Sequence, residues 1–167
     1  MGEPISAEQS IGYIAAVVVA SQDMVGSSGR RAGPLVMAVL REALFCFWDT
    51  REMSLTDPRR LRSVAAANAG PVDTAYTYVV PQNLLLQELL DRPPDPLMLQ
   101  EFLTANLLGC FITREEENRL AKAGLRQSMP ENWSWGDDPW ERFWRVGIEL
   151  ADQVPDNHDL PRPATGS

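Results

Sequence analysis

The sequence is poor in the residues on which most catalytic and metal sites depend. Its 167 residues include one histidine, His158, and two cysteines, Cys46 and Cys110. No Cys or His pair has the spacing of a zinc site, and Ser-His-Asp or Cys-His catalysis would need His158, which lies in a Pro- and Asp-rich segment. We therefore predict no structural metal, no cofactor and no catalytic residue. Both cysteines lie in apolar runs and are interpreted as buried hydrophobes.

Basic charge and long apolar runs are also scarce. The chain has 15 basic against 23 acidic residues, a net charge of −8, and Lys122 is its one lysine. Such a chain does not suit nucleic-acid wrapping, which needs a basic face. The apolar run 14–20 is shorter than the roughly 20 residues that cross a bilayer, and residues 1–4 lack the basic start of a secretory signal. We therefore expect a cytoplasmic protein with no membrane partner.

The composition itself is typical of a folded domain. Hydrophobic residues make up 44% and charged residues 23% of the chain, which is close to the average for globular proteins. A length of 167 residues predicts one domain, at roughly 150 residues per domain. We place this domain at residues 1–153. Residues 154–167 are rich in Pro, Asp and Gly, have little to bury, and are predicted to be a flexible tail.

Helix signals dominate the chain. A capping box at residues 6–9, and prolines or capping acids elsewhere, mark helix starts. The predicted helices cover residues 7–24, 34–51, 59–68, 81–91, 96–107, 113–123 and 139–152. The first two are apolar on more than one face, so we expect a buried central pair, and a homodimer would suit the same pattern. The residues that test this burial are Val17, Val18, Leu40 and Leu44.

One segment favours β-structure. Residues 76–80 are β-branched and aromatic, which predicts a short strand. Residues 107–112 either continue the preceding helix or form a strand at 108–112 that pairs with 76–80, and the helix start directly after them favours the strand. The predicted fold class is therefore mainly α, a single compact domain of about six or seven helices, to which this pairing adds a short two-stranded β element.

Basic residues concentrate at one point. Arg59, Arg60 and Arg62 lie close together on the predicted helix 59–68. Guanidinium groups bind phosphate through two parallel hydrogen bonds, so a small anion site is one interpretation. An exposed, solvated helix face is the commoner explanation of such a cluster.

Two acidic runs have a structural explanation. Consecutive helical side chains point about 100° apart, so Glu115, Glu116 and Glu117 do not converge on a metal. Glu116 fits a capping box and Glu115 the positive end of a helix dipole. In Asp137-Asp138, one acid fits the cap of the helix that follows.

Tryptophan is concentrated near the C-terminus, where four of the five tryptophans lie within residues 133–144. Trp140, Phe143 and Trp144 follow helical spacing and should pack against the core. Trp133 and Trp135 lie outside that stripe, in a predicted loop at 125–137. Because tryptophan is enriched at binding hot spots, these two are the candidates for contact with a partner.

The charge around these two tryptophans indicates what they would bind. Glu131 and Asp137 flank them, and residues 131–167 hold eight acids and three bases, a net charge of −5. An acidic surface attracts a basic partner, and such binding weakens with salt. The sequence therefore predicts a protein-binding site at Trp133, Trp135, Glu131 and Asp137.

The C-terminal half resembles a family of small uncharacterised bacterial proteins. The resemblance covers residues 76–150 and includes the segment Val79-Val80-Pro81. The strings that carry it are ITREEENRL (112–120), GLR (124–126), MP (129–130), WERF (140–143) and GIE (147–149). It implies a bacterial source and one continuous unit, but no activity. Tyr78 stands where a histidine is expected in some members, which argues against a catalytic role.

Three functions from different classes fit these residues. The first is a non-enzymatic protein-binding regulator or accessory protein, and the missing catalytic constellations favour it. The second is a nucleic-acid- or nucleotide-processing enzyme of a defence type, with carboxylate-bound Mg²⁺ and the arginine cluster on phosphate. The third is a small-molecule-binding helical domain with a pocket lined by Trp, Tyr and Met.

Overall fold

The computed structural model of the chain describes residues 7–28, 33–46 and 60–151. Its helices are α1 (Ala7–Ser28), α2 (Pro34–Leu44), α3 (Val64–Asn68), α4 (Gln82–Asp91), α5 (Pro96–Asn106), α6 (Arg114–Lys122) and α7 (Glu141–Trp144). Strands β1 (Thr74–Tyr78) and β2 (Gly109–Thr113) pair antiparallel. The predicted mainly α fold with a two-stranded β element is confirmed. No helix in the described ranges is long and apolar enough to cross a membrane.

The chain divides into two compact units, and neither is continuous in sequence. Unit 1 comprises Met1–Asp57 and Val80–Leu108, and unit 2 comprises Pro58–Val79 and Gly109–Ser167. In chain order, the segment with α4 and α5 therefore lies between the two paired strands of unit 2. A single domain over residues 1–153 stays a prediction, and the predicted tail 154–167 lies outside the described residues.

Unit 1 is helical and built around α1, which contacts α2, α4 and α5. Val18, Leu40 and Leu44 are buried as predicted, whereas Val17 is half-buried. One polar side chain joins two of the helices. Gln22 on α1 donates hydrogen bonds of 3.1 and 2.7 Å to the carbonyl oxygens of Leu90 and Arg92, at the end of α4, where carbonyls lack helical partners.

Unit 2 is held together by short extended segments. β1 and β2 pair from Thr74 opposite Thr113 to Tyr78 opposite Gly109, one or two residues from the predicted bounds. Residues 61–63 pair with the other edge of β2, where the Phe111 amide donates to the Leu61 carbonyl at 2.9 Å. Residues 149–151 pair in turn with 62–64. Four extended segments thus lie side by side.

Two predicted helices are much shorter in the structure, and a third is described only in part. Of the helix expected at 34–51, α2 covers Pro34–Leu44, and residues 47–51 lie outside the described part. The helix expected at 59–68 begins only at Val64, because Ser63 caps it by accepting a hydrogen bond from the Ala66 amide and residues 61–63 pair with β2.

The last helix, expected at 139–152, comprises only Glu141–Trp144. Gly147 has a φ of +67°, a left-handed conformation that ends helices, and the Ile148 amide donates to the Phe143 carbonyl at 3.0 Å in the manner of a glycine cap. The chain then turns into the extended segment 149–151.

The two cysteines have opposite environments. Cys110 on β2 is buried as predicted, and this burial raises the pKa of its thiol. Cys46 is exposed, so its predicted burial is wrong. It follows α2 on the side that faces away from the helical core, and its hydrogen bond to the Glu42 carboxylate raises the pKa of its thiol. The two cysteines form no disulfide.

Candidate functional site

The segment 130–138, here called the Trp loop, is closed by its own hydrogen bonds. The Trp133 amide donates to the Pro130 carbonyl at 3.0 Å, and the Asp137 amide donates to the Ser134 carbonyl at 3.0 Å. The Asp137 carboxylate accepts a further bond of 2.8 Å from the Ser134 amide. Asp137, a predicted partner-binding residue, thus also fixes the turn 134–137, which carries Trp135.

Trp133 and Trp135 form a pair in this loop. Their ring centroids lie 4.9 Å apart at an interplanar angle of 70°, an edge-to-face geometry favourable for aromatic rings. Both residues are half-buried, while Glu131 and Asp137 beside them are exposed. The four predicted partner-binding residues therefore lie on one short, hydrogen-bonded loop.

Asp138 connects three tryptophans. Its backbone carbonyl accepts a hydrogen bond of 3.0 Å from Trp133 Nε1, and its carboxylate accepts bonds of 2.8 Å from Trp144 Nε1 and 2.9 Å from the Trp140 amide. Sequence reasoning explained one acid of the pair 137–138 as a helix cap and missed this role. The one sequence signal for this role is that Asp138 lies within six residues of Trp133, Trp140 and Trp144.

The predicted aromatic stripe is buried in part. Trp140 and Phe143 are buried, and their rings meet edge to face with centroids 5.5 Å apart. Trp144 is half-buried and stacks on Trp140 at 6.0 Å. The Trp loop is thus followed directly by an aromatic cluster, and the two buried rings of this cluster, Trp140 and Phe143, anchor the C-terminal end of the loop.

Arg142 is the residue of this region that sequence reasoning missed entirely. It is 1% exposed and donates to the carbonyl oxygens of Val79 at 2.7 Å and Leu125 at 2.6 Å. It also bonds the carbonyls of Tyr78 and Arg126. Burial lowers the pKa of its guanidinium to about 10, so it remains charged at neutral pH. It ties the end of β1 to the segment that leads into the Trp loop.

A cavity of about 390 Å³ adjoins the Trp loop. Its lining residues are Ala123, Leu125, Pro130, Glu131, Asn132 and Arg145. Arg145 is 54% exposed and pairs with Glu141 at 3.0 Å. The Trp, Tyr and Met residues expected around a small-molecule pocket are not among the lining residues.

The arginine cluster differs from its predicted form. Arg60 is buried, donates a hydrogen bond of 2.7 Å to the Tyr76 hydroxyl and lies over that ring. The Arg62 guanidinium lies 4.6 Å from the centroid of the Phe111 ring. An exposed helix face is therefore the wrong description of Arg60, because aromatic residues of β1 and β2 cover this segment. Arg59 lies outside the described residues, and anion binding at the cluster stays a prediction.

Glu116 is the third buried charged residue among the described residues of unit 2, after Arg142 and Arg60. The predicted capping box is present, with the Thr113 hydroxyl accepting from the Glu116 amide and the Glu116 carboxylate accepting from the Thr113 amide at 2.8 Å. The same carboxylate accepts a bond of 2.6 Å from the Ser63 hydroxyl. It thereby connects the start of α6 to the cap of α3.

Within the described ranges, no group of three or more His, Cys, Asp or Glu side chains is placed to hold a metal ion. Comparison with protein-family models, with curated proteins and with solved structures finds no match.

Proposed function

We propose that the protein is a non-enzymatic protein-binding regulator or accessory protein whose binding surface is the Trp loop. The observation that carries this proposal is the half-buried edge-to-face pair of Trp133 and Trp135 on a loop closed by hydrogen bonds. A binding surface that is already ordered loses less conformational entropy on association. Tryptophan contributes a large contact area, which suits a hot spot, and the hydrogen bond from Trp133 Nε1 to the Asp138 carbonyl holds that ring in place.

The charge of the region supports a basic partner. Residues 131–167 contain eight acids and three bases, and one of those bases, Arg142, is buried. The exposed carboxylates of Glu131 and Asp137 lie on the same loop as the tryptophans. Such a surface steers a basic partner during encounter and loses this advantage as salt screens it.

The cavity supports the same type of partner. Glu131 belongs both to the Trp loop and to the lining of the 390 Å³ cavity, so a lysine or arginine side chain of the partner has a carboxylate to meet there. The cavity is also lined by a cationic residue of this chain, Arg145, whose guanidinium already pairs with the Glu141 carboxylate. The proposal includes a bacterial, cytoplasmic setting, supported by the resemblance and by the composition. Self-association is a separate proposal that rests on other residues.

The enzyme and small-molecule hypotheses have less support among the described residues. The enzyme needs converging carboxylates and an accessible arginine cluster, whereas Arg60 is engaged with Tyr76. The small-molecule domain needs an aromatic pocket, whereas the cavity beside the Trp loop has polar and aliphatic walls. We therefore propose neither.

The test replaces both tryptophans, Trp133→Ala with Trp135→Ala, in the full chain. The immobilised wild-type chain is expected to capture a protein from a lysate of its source cell, with release at raised salt, and the double variant is expected to lose that protein. Because both rings are half-buried, the thermal midpoint should fall by only a few degrees. The matched control is Leu97→Ala with Met98→Ala, an exposed apolar pair elsewhere on the chain, which should retain the partner.

Two outcomes contradict the proposal. If the tryptophan variant unfolds, the rings are core residues and not a binding surface. If the folded variant and the Leu97/Met98 control capture the same proteins as the wild type, the Trp loop does not recognise the partner.

A further inference from the structure

We propose that the protein forms a homodimer through the exposed apolar halves of α1 and α2, here called the α1/α2 face. This surface lies in unit 1, whereas the Trp loop lies in unit 2. The inference therefore does not depend on the proposed function, and each can fail without the other.

The exposed half of α1 is apolar. Residues Gln9 to Gln22 include no charged side chain. The buried half of the helix is formed by residues such as Ile14 and Val18. The other half exposes apolar residues that include Gly12, Tyr13, Ala16, Val19, Ala20 and Met24. A helix on the surface of a monomer normally has charged or polar residues on that side.

The exposed half of α2 has the same character. Leu35, Ala38, Val39 and Phe45 are exposed, and α2 packs against α1. The charged residues on this side are Arg41 and Glu42, adjacent and of opposite sign. In a two-fold symmetric pair the same patch meets itself, so such a pair of charges can be complementary across the axis.

The size of the α1/α2 face suits a dimer. From the exposed fractions of its large and small apolar residues, we estimate that each copy contributes roughly 600 Å², so that a pair would bury about 1,200 Å², the lower bound for specific interfaces. A monomer rarely leaves a larger apolar patch uncovered.

Charge favours a second copy over other occupants. Each chain has a net charge of −8, so two copies repel each other least where a surface carries little charge. Among the described exposed side chains of this face, Arg41 and Glu42 cancel and only Asp23 on α1 adds a net charge. A membrane surface fits less well, because helices that lie on membranes carry Lys and Arg on their polar side. α1 contains neither residue, and α2 contains only Arg41.

The test is sedimentation velocity of the full chain from about 1 to 100 µM, a range that brackets a micromolar dissociation constant. The wild type is expected to shift with concentration from 18.6 kDa to twice that mass. Leu35→Glu with Val39→Glu places two charges in the interface and should raise the dissociation constant at least about 100-fold, at roughly tenfold for each buried apolar side chain lost. Ala16→Glu should act in the same direction from α1.

The chain offers a closely matched control. Leu35 and Leu97 are 67% and 66% exposed, and each directly follows the proline that opens its helix. Leu97→Glu therefore reproduces the local change of Leu35→Glu outside the α1/α2 face and should leave the dimer intact, and circular dichroism checks that every variant is folded. Three outcomes would overturn the proposal. The wild type could remain monomeric at 100 µM, Leu35→Glu and Leu97→Glu could change the dissociation constant equally, or the chain could form assemblies that grow beyond the dimer.

Discussion

The interiors of the two units are stabilised by different interactions. The buried residues of unit 1 are almost all aliphatic, such as Leu40, Leu85 and Leu103, whereas the buried charged residues of the described chain, Arg60, Glu116 and Arg142, all lie in unit 2. The helices of unit 1 pair most of their own backbone groups, so this unit is stabilised mainly by apolar packing, with Gln22 as the side-chain donor to the carbonyls at the end of α4. Unit 2 consists of short elements and loops, whose buried carbonyls need side-chain donors.

The largest effect is expected from Arg142→Met, which keeps much of the apolar volume and removes every donor. Carbonyl oxygens in two chain segments would lose their partner, at a cost of about 3–5 kcal/mol in the free energy of unfolding. Arg145→Met, three residues away and 54% exposed, should cost less than about 0.5 kcal/mol. Urea unfolding measures both, and similar values would show that the buried hydrogen bonds do not hold unit 2 together.

Leu40→Ala tests the apolar packing of unit 1 in the way that Arg142→Met tests the buried hydrogen bonds of unit 2. Removing a fully buried leucine leaves a cavity and should cost about 2–5 kcal/mol. Leu35 on the same helix is exposed, so Leu35→Ala should cost below about 1 kcal/mol in the same unfolding experiment under conditions that keep the chain monomeric. If Leu40→Ala is as mild as Leu35→Ala, unit 1 does not depend on its aliphatic core.

A smaller effect is expected from Glu116→Ala, which removes the acceptor of the Ser63 hydroxyl and of the Thr113 amide. We expect a loss of about 1–3 kcal/mol, because a buried donor is left unpaired and a capping interaction is lost. The exposed neighbour Glu115 is the control, and Glu115→Ala should change stability by less than about 0.5 kcal/mol. If both variants unfold at the same urea concentration, Glu116 contributes no more to stability than the exposed Glu115, and the prediction is wrong.

The smallest perturbation is chemical labelling of the cysteines. A pulse of iodoacetamide on the folded chain should modify Cys46 and leave Cys110 unmodified until denaturant is added, as mass spectrometry can show. The thiolate is the reactive form, and the pKa of Cys46 is raised by its hydrogen bond to Glu42. Its rate should therefore keep increasing at pH values above the usual thiol pKa, and Glu42→Gln should speed labelling at pH 8. Labelling of Cys110 in the folded chain would mean that unit 2 opens easily.

Local sequence signals predicted the elements whose stabilising groups are local. Asp95-Pro96 marks the start of α5, and the box Thr113 to Glu116 marks the start of α6, because each cap is complete within four residues. The predicted strand pair is also present, displaced by a residue or two. The same signals failed at 59–68 and 139–152, where pairing with distant extended segments or a left-handed Gly147 ends the helix.

The candidate site shows the same division. Composition was enough to single out Trp133 and Trp135, because their enrichment is visible in the sequence. The roles of Asp138 and Arg142 were not visible, since they depend on which carbonyls and indole N–H groups the fold brings together. Arg60 was misjudged for a related reason, because the ring that covers it belongs to Tyr76 on a separate strand.

The interleaving of the two units has a consequence for synthesis on the ribosome. All residues of unit 1 have been translated when Leu108 is added, whereas β2 begins only at Gly109. Tyr78 therefore waits 31 residues for its partner Gly109, which at about 5–20 residues per second is roughly 2–6 s. The exit tunnel delays all segments equally, so α4 and α5 emerge from the ribosome before β2 and can join the helices already made. The order of translation thus favours completion of the aliphatic unit before the unit that carries the Trp loop.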